Sequence, residues 1–311
     1  MVPERGVGVR SGDEGKKPVA RRPERFRAVD RFTMAYLGLM IPPLLVFHDR
    51  VEGALFLAAV HLAGIGAIVA FRKSPIPRIP LVETVFDFYP LLLFPVFYSE
   101  VGVLNHLIHN GVLFDAVVQR VEARLFGGQP SQEWCRKWPY PLLGEYLHLG
   151  YISYYFLVPS MAFTVRFTRG PVPYERAIAS VALSFFLSFL FFVVIPVAGP
   201  FHSFTPPETE AVGIAIPRLV RWLLHHGSSV GSAFPSSHVA VSLTTWIMAM
   251  RYSRKLAVIF LFFVPALALG AVYGGYHYLT DILAGAILGL LVGTLGHRLV
   301  SALAPSPVAN R

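Results

Sequence analysis

Charge is scarce in this chain. Of its 311 residues only 14% are Asp, Glu, Lys or Arg, against about 25% in ordinary soluble domains, while 54% are hydrophobic. A soluble chain of this length would form about two domains, but so little charge cannot cover them, and the composition reads instead as a bundle embedded in a membrane. Cysteine is almost absent too. With Cys135 alone, no intrachain disulfide, cysteine-built zinc cage or redox pair can form. Lysine is missing between Lys137 and Lys255, and residues 1 to about 30 hold no apolar core of the signal-peptide kind. The net charge of +9 comes from cations at the amino terminus and between apolar runs. They form no aromatic-interleaved stripe, which excludes nucleic acid as a partner and ties them to topology and membrane lipids.

The apolar runs define the expected architecture. Residues 1–30, rich in Arg, Lys, Pro, Gly and acidic residues, read as a disordered basic tail. Phe32 to Phe47 and Gly53 to Phe71 follow, joined by His48-Asp49-Arg50, so residues 31–80 carry two N-terminal transmembrane helices, the first kinked at Pro42-Pro43. A membrane domain over 81–300 adds six spans. These are Leu81 to about Tyr98, Tyr140 to Phe163, Ala177 to Val197, His238 to Met250, Leu256 to Val272 and His277 to about His297. Residues 301–311 form a C-terminal tail. The expected fold is all-α, a polytopic integral-membrane helix bundle of about eight transmembrane helices. Near the start of the third span, Glu83 and Asp87 sit one turn apart beside Arg72, Lys73 and Arg78, which reads as an ion-paired helix start. Gly285, Gly289 and Gly293 make a small-residue face for close helix contact.

Two stretches are amphipathic instead. Phe114, Val117, Val118, Val121 and Leu125 share one face of a helix, with Asp115, Gln119, Glu122 and Arg124 opposite, and Gly127-Gly128-Gln129-Pro130 ends it. Arg218 to Leu224, inside the long loop 198–232, is the second. Both are expected to lie at the interface, with Trp134 and Trp138 at headgroup level. From a cytoplasmic amino terminus, eight spans put the positive loops at 72–78, 166–176 and 251–255, with Arg298 and Arg311, on the cytoplasmic side. The same count puts loop 198–232, His238 and His277 on the opposite, exoplasmic face.

The chemistry concentrates in Ala233-Phe234-Pro235-Ser236-Ser237-His238 and His277-Tyr278-Leu279-Thr280-Asp281. On a helix, His277 and Asp281 would lie one turn apart on a shared face, so that Asp281 holds one ring nitrogen of His277 and frees the other to attack. His238, protonated, would donate to the departing oxygen. Ser236 and Ser237 follow Pro235 at a helix start whose N–H groups favour an anion, here a phosphate. Arg218, Arg221 or His202 would add positive charge, unless the arginines snorkel to lipid headgroups. His148 and Glu145 are further ionisable residues within a span.

At these residues the sequence resembles the type 2 phosphatidic acid phosphatase superfamily. Its motif P-S-G-H is matched by Pro235, Ser236 and His238, with Ser237 in place of glycine. Of the motif S-R-x5-H-x3-D, His277 and Asp281 match, while Gly270 and Ala271 stand where Ser and Arg belong. The motif K-x6-R-P has no counterpart. The strings around His238 and His277 look like the branch that includes inositol phosphorylceramide synthases. Asp115, Glu122, Leu125-Phe126-Gly127, Pro130 and Tyr151 to Tyr155 are similar to bacterial members of that branch. The resemblance spans roughly residues 85 to 300. It implies a six-helix phosphatase core, a phosphohistidine intermediate, an exoplasmic site and no metal or cofactor. The function expected is that of an integral-membrane lipid phosphatase or phosphotransferase, taking a lipid phosphate and passing its group to water or an alcohol. Two rival readings remain, a proton-coupled transporter with His277, Asp281, His148 and Glu145 as relay, and a non-catalytic lipid-binding relative.

Overall fold

A computed structural model describes residues 26–74, 80–204 and 213–303. Most of the basic tail, Arg78, Arg311 and the end of the C-terminal tail lie outside the described residues. Among the described residues the chain is helical with no strand, and one isolated β-bridge joins Val197 to Ser232. Six segments are long and apolar enough to cross a membrane: Ala28–Val46, Ala54–Lys73, Leu81–His109, Pro171–Val194, Arg254–Tyr273 and Leu279–Leu303. The other two expected spans are shorter. The stretch beginning at Pro141 divides at Ser153 into α8 (Pro141–Ile152) and α9 (Tyr154–Arg169), where the Ser153 hydroxyl donates to the Gly150 carbonyl at 2.6 Å. The helix that carries His238, α13 (Ser237–Tyr252), has 16 residues, below the ~20 that a full hydrocarbon crossing needs.

α10 (Pro171–Val194) forms the centre, packing on α1 (Ala28–Val46), α4 (Tyr89–Leu104), α9 and α13. Its sequence explains this place. Ala177, Ala179, Ala182, Ser180, Ser184 and Ser188 are buried and spread around the helix, so neighbours approach it from several sides. α14 (Arg254–Tyr273) packs on α8 and α13, and α15 (Leu279–Leu291) packs on α13. Glycine sets that last contact. A Cβ at Gly285 would stand 2.5 Å from the Ser236 carbonyl oxygen, and one at Gly289 2.6 Å from that of Ala240. Both motif-bearing helices therefore start side by side, with the Ser236 N–H donating to the Asp281 carbonyl at 3.0 Å.

Two local readings change on contact with the fold. Asp87 is ion-paired, but its partners are Arg27 and Arg166, brought from α1's start and from α9, instead of the arginines next to it in sequence. Glu83 is exposed. In α6 (Asp115–Phe126) the helix is as expected, while the two acids of its polar face turn inward. Asp115 and Glu122 are buried, whereas Val117, Val121 and Leu125 are exposed. The acids find hydrogen-bond donors inside the protein, and of the apolar face Val118 alone joins a buried cluster, with Phe114 packed against it.

Candidate active site

His238 enters on the first turn of α13. That helix is capped by Ser236, whose hydroxyl accepts the Val239 N–H at 3.4 Å. His277 lies just ahead of α15, in the turn after Gly274-Gly275, so the helical spacing argument does not describe it. It meets Asp281 nevertheless. Asp281 is the third residue of α15 and folds back over the helix start, accepting the Tyr278 N–H at 2.9 Å and placing Oδ2 3.5 Å from His277 Nδ1. The second distance is an ion-pair contact, longer than a well-formed hydrogen bond, and such contacts tighten when a substrate binds. Asp281 is fully buried and His277 nearly so. The rings of His238 and His277 are 5.8 Å apart between centroids and inclined at 62°.

Two cavities meet at His238. One, of about 40 Å³, has both histidines on its wall together with Tyr98, His202, Ser228, Ser229 and Ser232. The other, of about 180 Å³, is lined mainly by apolar and aromatic side chains, among them Phe94, Tyr154, Val158 and Phe185, together with Ser237 and His238. Tyr151 stacks on the His238 ring at 5.0 Å, and the Tyr154 ring lies 4.3 Å away on a tilt. An apolar recess beside a small one that carries three serines and three histidines suits a molecule with a chain at one end and a polar group at the other.

The other candidate residues are less uniform. His202 lines the smaller cavity, its Nε2 3.2 Å from the Ser228 hydroxyl. Ser237 lines the larger one, while Ser236 is buried between the helices and lines neither. Arg218 and Arg221, on α12 (Ile216–Gly227), line neither cavity, and Arg218 is exposed. Arg221 interacts electrostatically with Tyr276, His148 and Cys135. Glu145 and His148 do not join the histidine pair. Glu145 accepts the backbone N–H groups of Ile214, Ala215 and Ile216 and so caps α12, and His148 Nδ1 lies 2.7 Å from the Gly144 carbonyl. Burial pushes the Cys135 thiol above its ordinary pKa, against the opposing pull of Arg136, which disfavours it as a nucleophile.

Several supporting residues carry no role that spacing alone reveals. The buried Asp115 carboxylate accepts the N–H groups of Ala198 and Gly199 at 2.8 and 2.9 Å, the Ser203 hydroxyl at 2.7 Å and the Tyr278 hydroxyl at 3.1 Å. It pins the loop before His202 to the residue next to His277. Glu122 accepts the Thr280 N–H at 2.9 Å, and burial raises its carboxyl pKa while that N–H opposes the shift. Tyr98 reaches in from α4, its hydroxyl 3.1 Å from that of Ser232. The family resemblance points to Asp115, Glu122, Tyr151, Tyr154 and Tyr155, whereas no sequence motif points to Tyr98. Asp115→Ala strands these buried donors. It is expected to cost about 3 kcal/mol of stability, read as a lower thermal midpoint, and to raise KM.

A family model described as the PAP2 superfamily matches residues 118–295, more than half of the chain and a stretch that includes both histidines and Asp281. No curated protein and no solved structure matches. Membership of this family points to a membrane phosphatase-type function, its members being generally phosphatases or phosphotransferases. The chain belongs to the PAP2 superfamily.

Proposed function

We propose that the protein is an integral-membrane lipid phosphate phosphotransferase or phosphohydrolase that works through a phosphohistidine on His277. In the first step a His277 ring nitrogen bonds to phosphorus as the bond from phosphorus to the lipid oxygen breaks, and His238 gives that oxygen its proton. In the second, water or an alcohol yields a proton to His238 while its oxygen displaces His277. Asp281 holds the His277 tautomer and stabilises its positive charge. The observation that carries this reading is the meeting of the two rings, 5.8 Å apart, on the wall of one small cavity. The adjoining apolar cavity supports a long-chain substrate.

The lining also bears on the substrate's charge. Neither cavity is lined by lysine or arginine among the described residues. A doubly charged phosphomonoester would be poorly compensated there, so the site favours a singly charged phosphodiester and transfer of its headgroup to an alcohol. This agrees with the inositol phosphorylceramide synthase-like branch.

Eight crossings, with α8–α9 and α13 added to the six longer segments, put both termini on the cytoplasmic side and the site on the exoplasmic face. Supporting this, Arg72-Lys73, Arg166, Arg169, Arg176, Arg251 and Arg254 all lie at the helix ends remote from the histidines. Of the relay a transporter would use, Glu145 is engaged as a helix cap, which favours the enzyme reading.

The test is purified protein in detergent with long-chain phosphomonoesters and phosphodiesters, following both free phosphate and headgroup exchange with added alcohol. Exchange on the diester is expected. Solute flux without release or exchange would establish a transporter, and lipid binding without turnover a non-catalytic relative.

A further inference from the structure

At the end of the bundle remote from the histidines, the arginines are treated in two ways. Arg72 is held by Asp30 through hydrogen bonds of 2.7 and 2.9 Å, and Arg27 and Arg166 share Asp87. A buried carboxylate balances each of them. Arg176 on α10 and Arg251 in the last turn of α13 have no such balance. Among the described residues neither is within ion-pair distance of a carboxylate, and Arg176 Nε is buried without a hydrogen-bond partner.

Both belong to one neighbourhood, since Arg176 lies one helical turn before Ser180, Arg251 adjoins Tyr252, and the His297 ring bridges the Ser180 and Tyr252 hydroxyls. Both act electrostatically on the Tyr252 hydroxyl and on the His297 ring. His297 is buried, its Nε2 3.4 Å from the Tyr252 hydroxyl and its Nδ1 3.3 Å from the Ser180 hydroxyl. Arg169 approaches from the side, donating from Nε to the Tyr252 carbonyl at 2.8 Å. Just before His297 the last span contains a π-helical turn, Val292–Gly296. Such a turn shifts the facing of the residues that follow, and here His297 is buried while Arg298 and Leu299 are exposed.

Like charges brought together without a counter-charge repel, and a buried unpaired donor adds to the cost. A bound anion removes both penalties. The planar fork of arginine matches phosphate oxygens, and a hydroxyl adds a further donor. Positive pockets between helices at a membrane surface are where anionic headgroups lie. Arg251 is thirteen residues along α13 from His238, roughly 20 Å away at helical rise, so this place is separate from the paired histidines.

We propose that Arg176, Arg251 and the Tyr252 hydroxyl form a binding site for a phosphate-bearing anion, met at the membrane as the headgroup of an anionic phospholipid. The test is the thermal midpoint of the full-length protein in neutral detergent. It is titrated with dioleoylphosphatidylglycerol, with dioleoylphosphatidylcholine at equal mole fraction, or with inorganic phosphate. Phosphatidylglycerol is expected to raise Tm saturably and phosphatidylcholine not to. The apparent affinity is expected to fall about tenfold or more in R176Q/R251Q. The single variant R251Q, made at an exposed position and so safe for folding, is expected to lose several-fold. A shift with inorganic phosphate that is likewise weakened by R251Q assigns recognition to the phosphate group alone, whereas a shift with phosphatidylglycerol only assigns it to the lipid headgroup. Equal titrations in wild type and both variants, or no shift with any probe, would overturn the site.

Discussion

His277→Ala is expected to lower phosphoryl transfer by about 10³-fold or more while leaving the protein folded. The argument for the size is that this side chain is the one proposed to bond to phosphorus, so its loss removes the covalent route rather than weakening it. The argument for intact folding is local. The His277 backbone N–H, which donates to the Ala271 carbonyl, and the Asp281 contact with Tyr278 N–H both survive the substitution. If the two imidazoles act on one phosphorus, as proposed, adding His238→Ala to His277→Ala is expected to cost little further activity. Turnover within tenfold of wild type, with Tm unchanged, would remove His277 from the chemistry.

The second large effect is structural. Gly285→Leu is expected to lower Tm by several degrees and abolish activity together, because its Cβ alone meets the Ser236 carbonyl oxygen at 2.5 Å and the Ser236 Cβ at 3.3 Å. Overpacking of this kind costs about 1–3 kcal/mol where neighbours can shift, and here the neighbour is backbone. Forcing α13 from α15 breaks the hydrogen bond between Ser236 and Asp281, and with it the approach of the histidines. Gly66→Leu is the control. Nothing lies within 4 Å of a Cβ at that position, and neither stability nor activity should change. A Gly285 variant that kept full activity would show that this helix contact does not set the site.

Much of the fold was legible because a bilayer imposes length and apolarity on each crossing, and six segments carry that mark plainly. The two shorter elements were legible as apolar runs but not as lengths. The break at Ser153 depends on a hydroxyl bonding within its own turn, and the end of α13 on where Ser236 and Ser253 cap it. The histidines were legible from spacing and motif together. The route by which His277 meets Asp281 was not, since four residues apart describes a helix face and a helix-start fold-back equally well. α6 shows the same limit differently. Periodicity separates two faces without saying which is buried, and only the Ala198, Gly199, Ser203, Tyr278 and Thr280 donors draw Asp115 and Glu122 inward. Those partners lie 83 to 163 residues away in sequence for Asp115, beyond the reach of any local pattern.

The most direct test is to trap the intermediate. Protein mixed with a long-chain lipid phosphate labelled on phosphorus is quenched in alkali, which preserves phosphohistidine, and the label is mapped by peptide. The label should sit on His277 in wild type, and be absent from His277→Ala. Label on another residue, or none in a wild-type protein that turns over, would contradict the account.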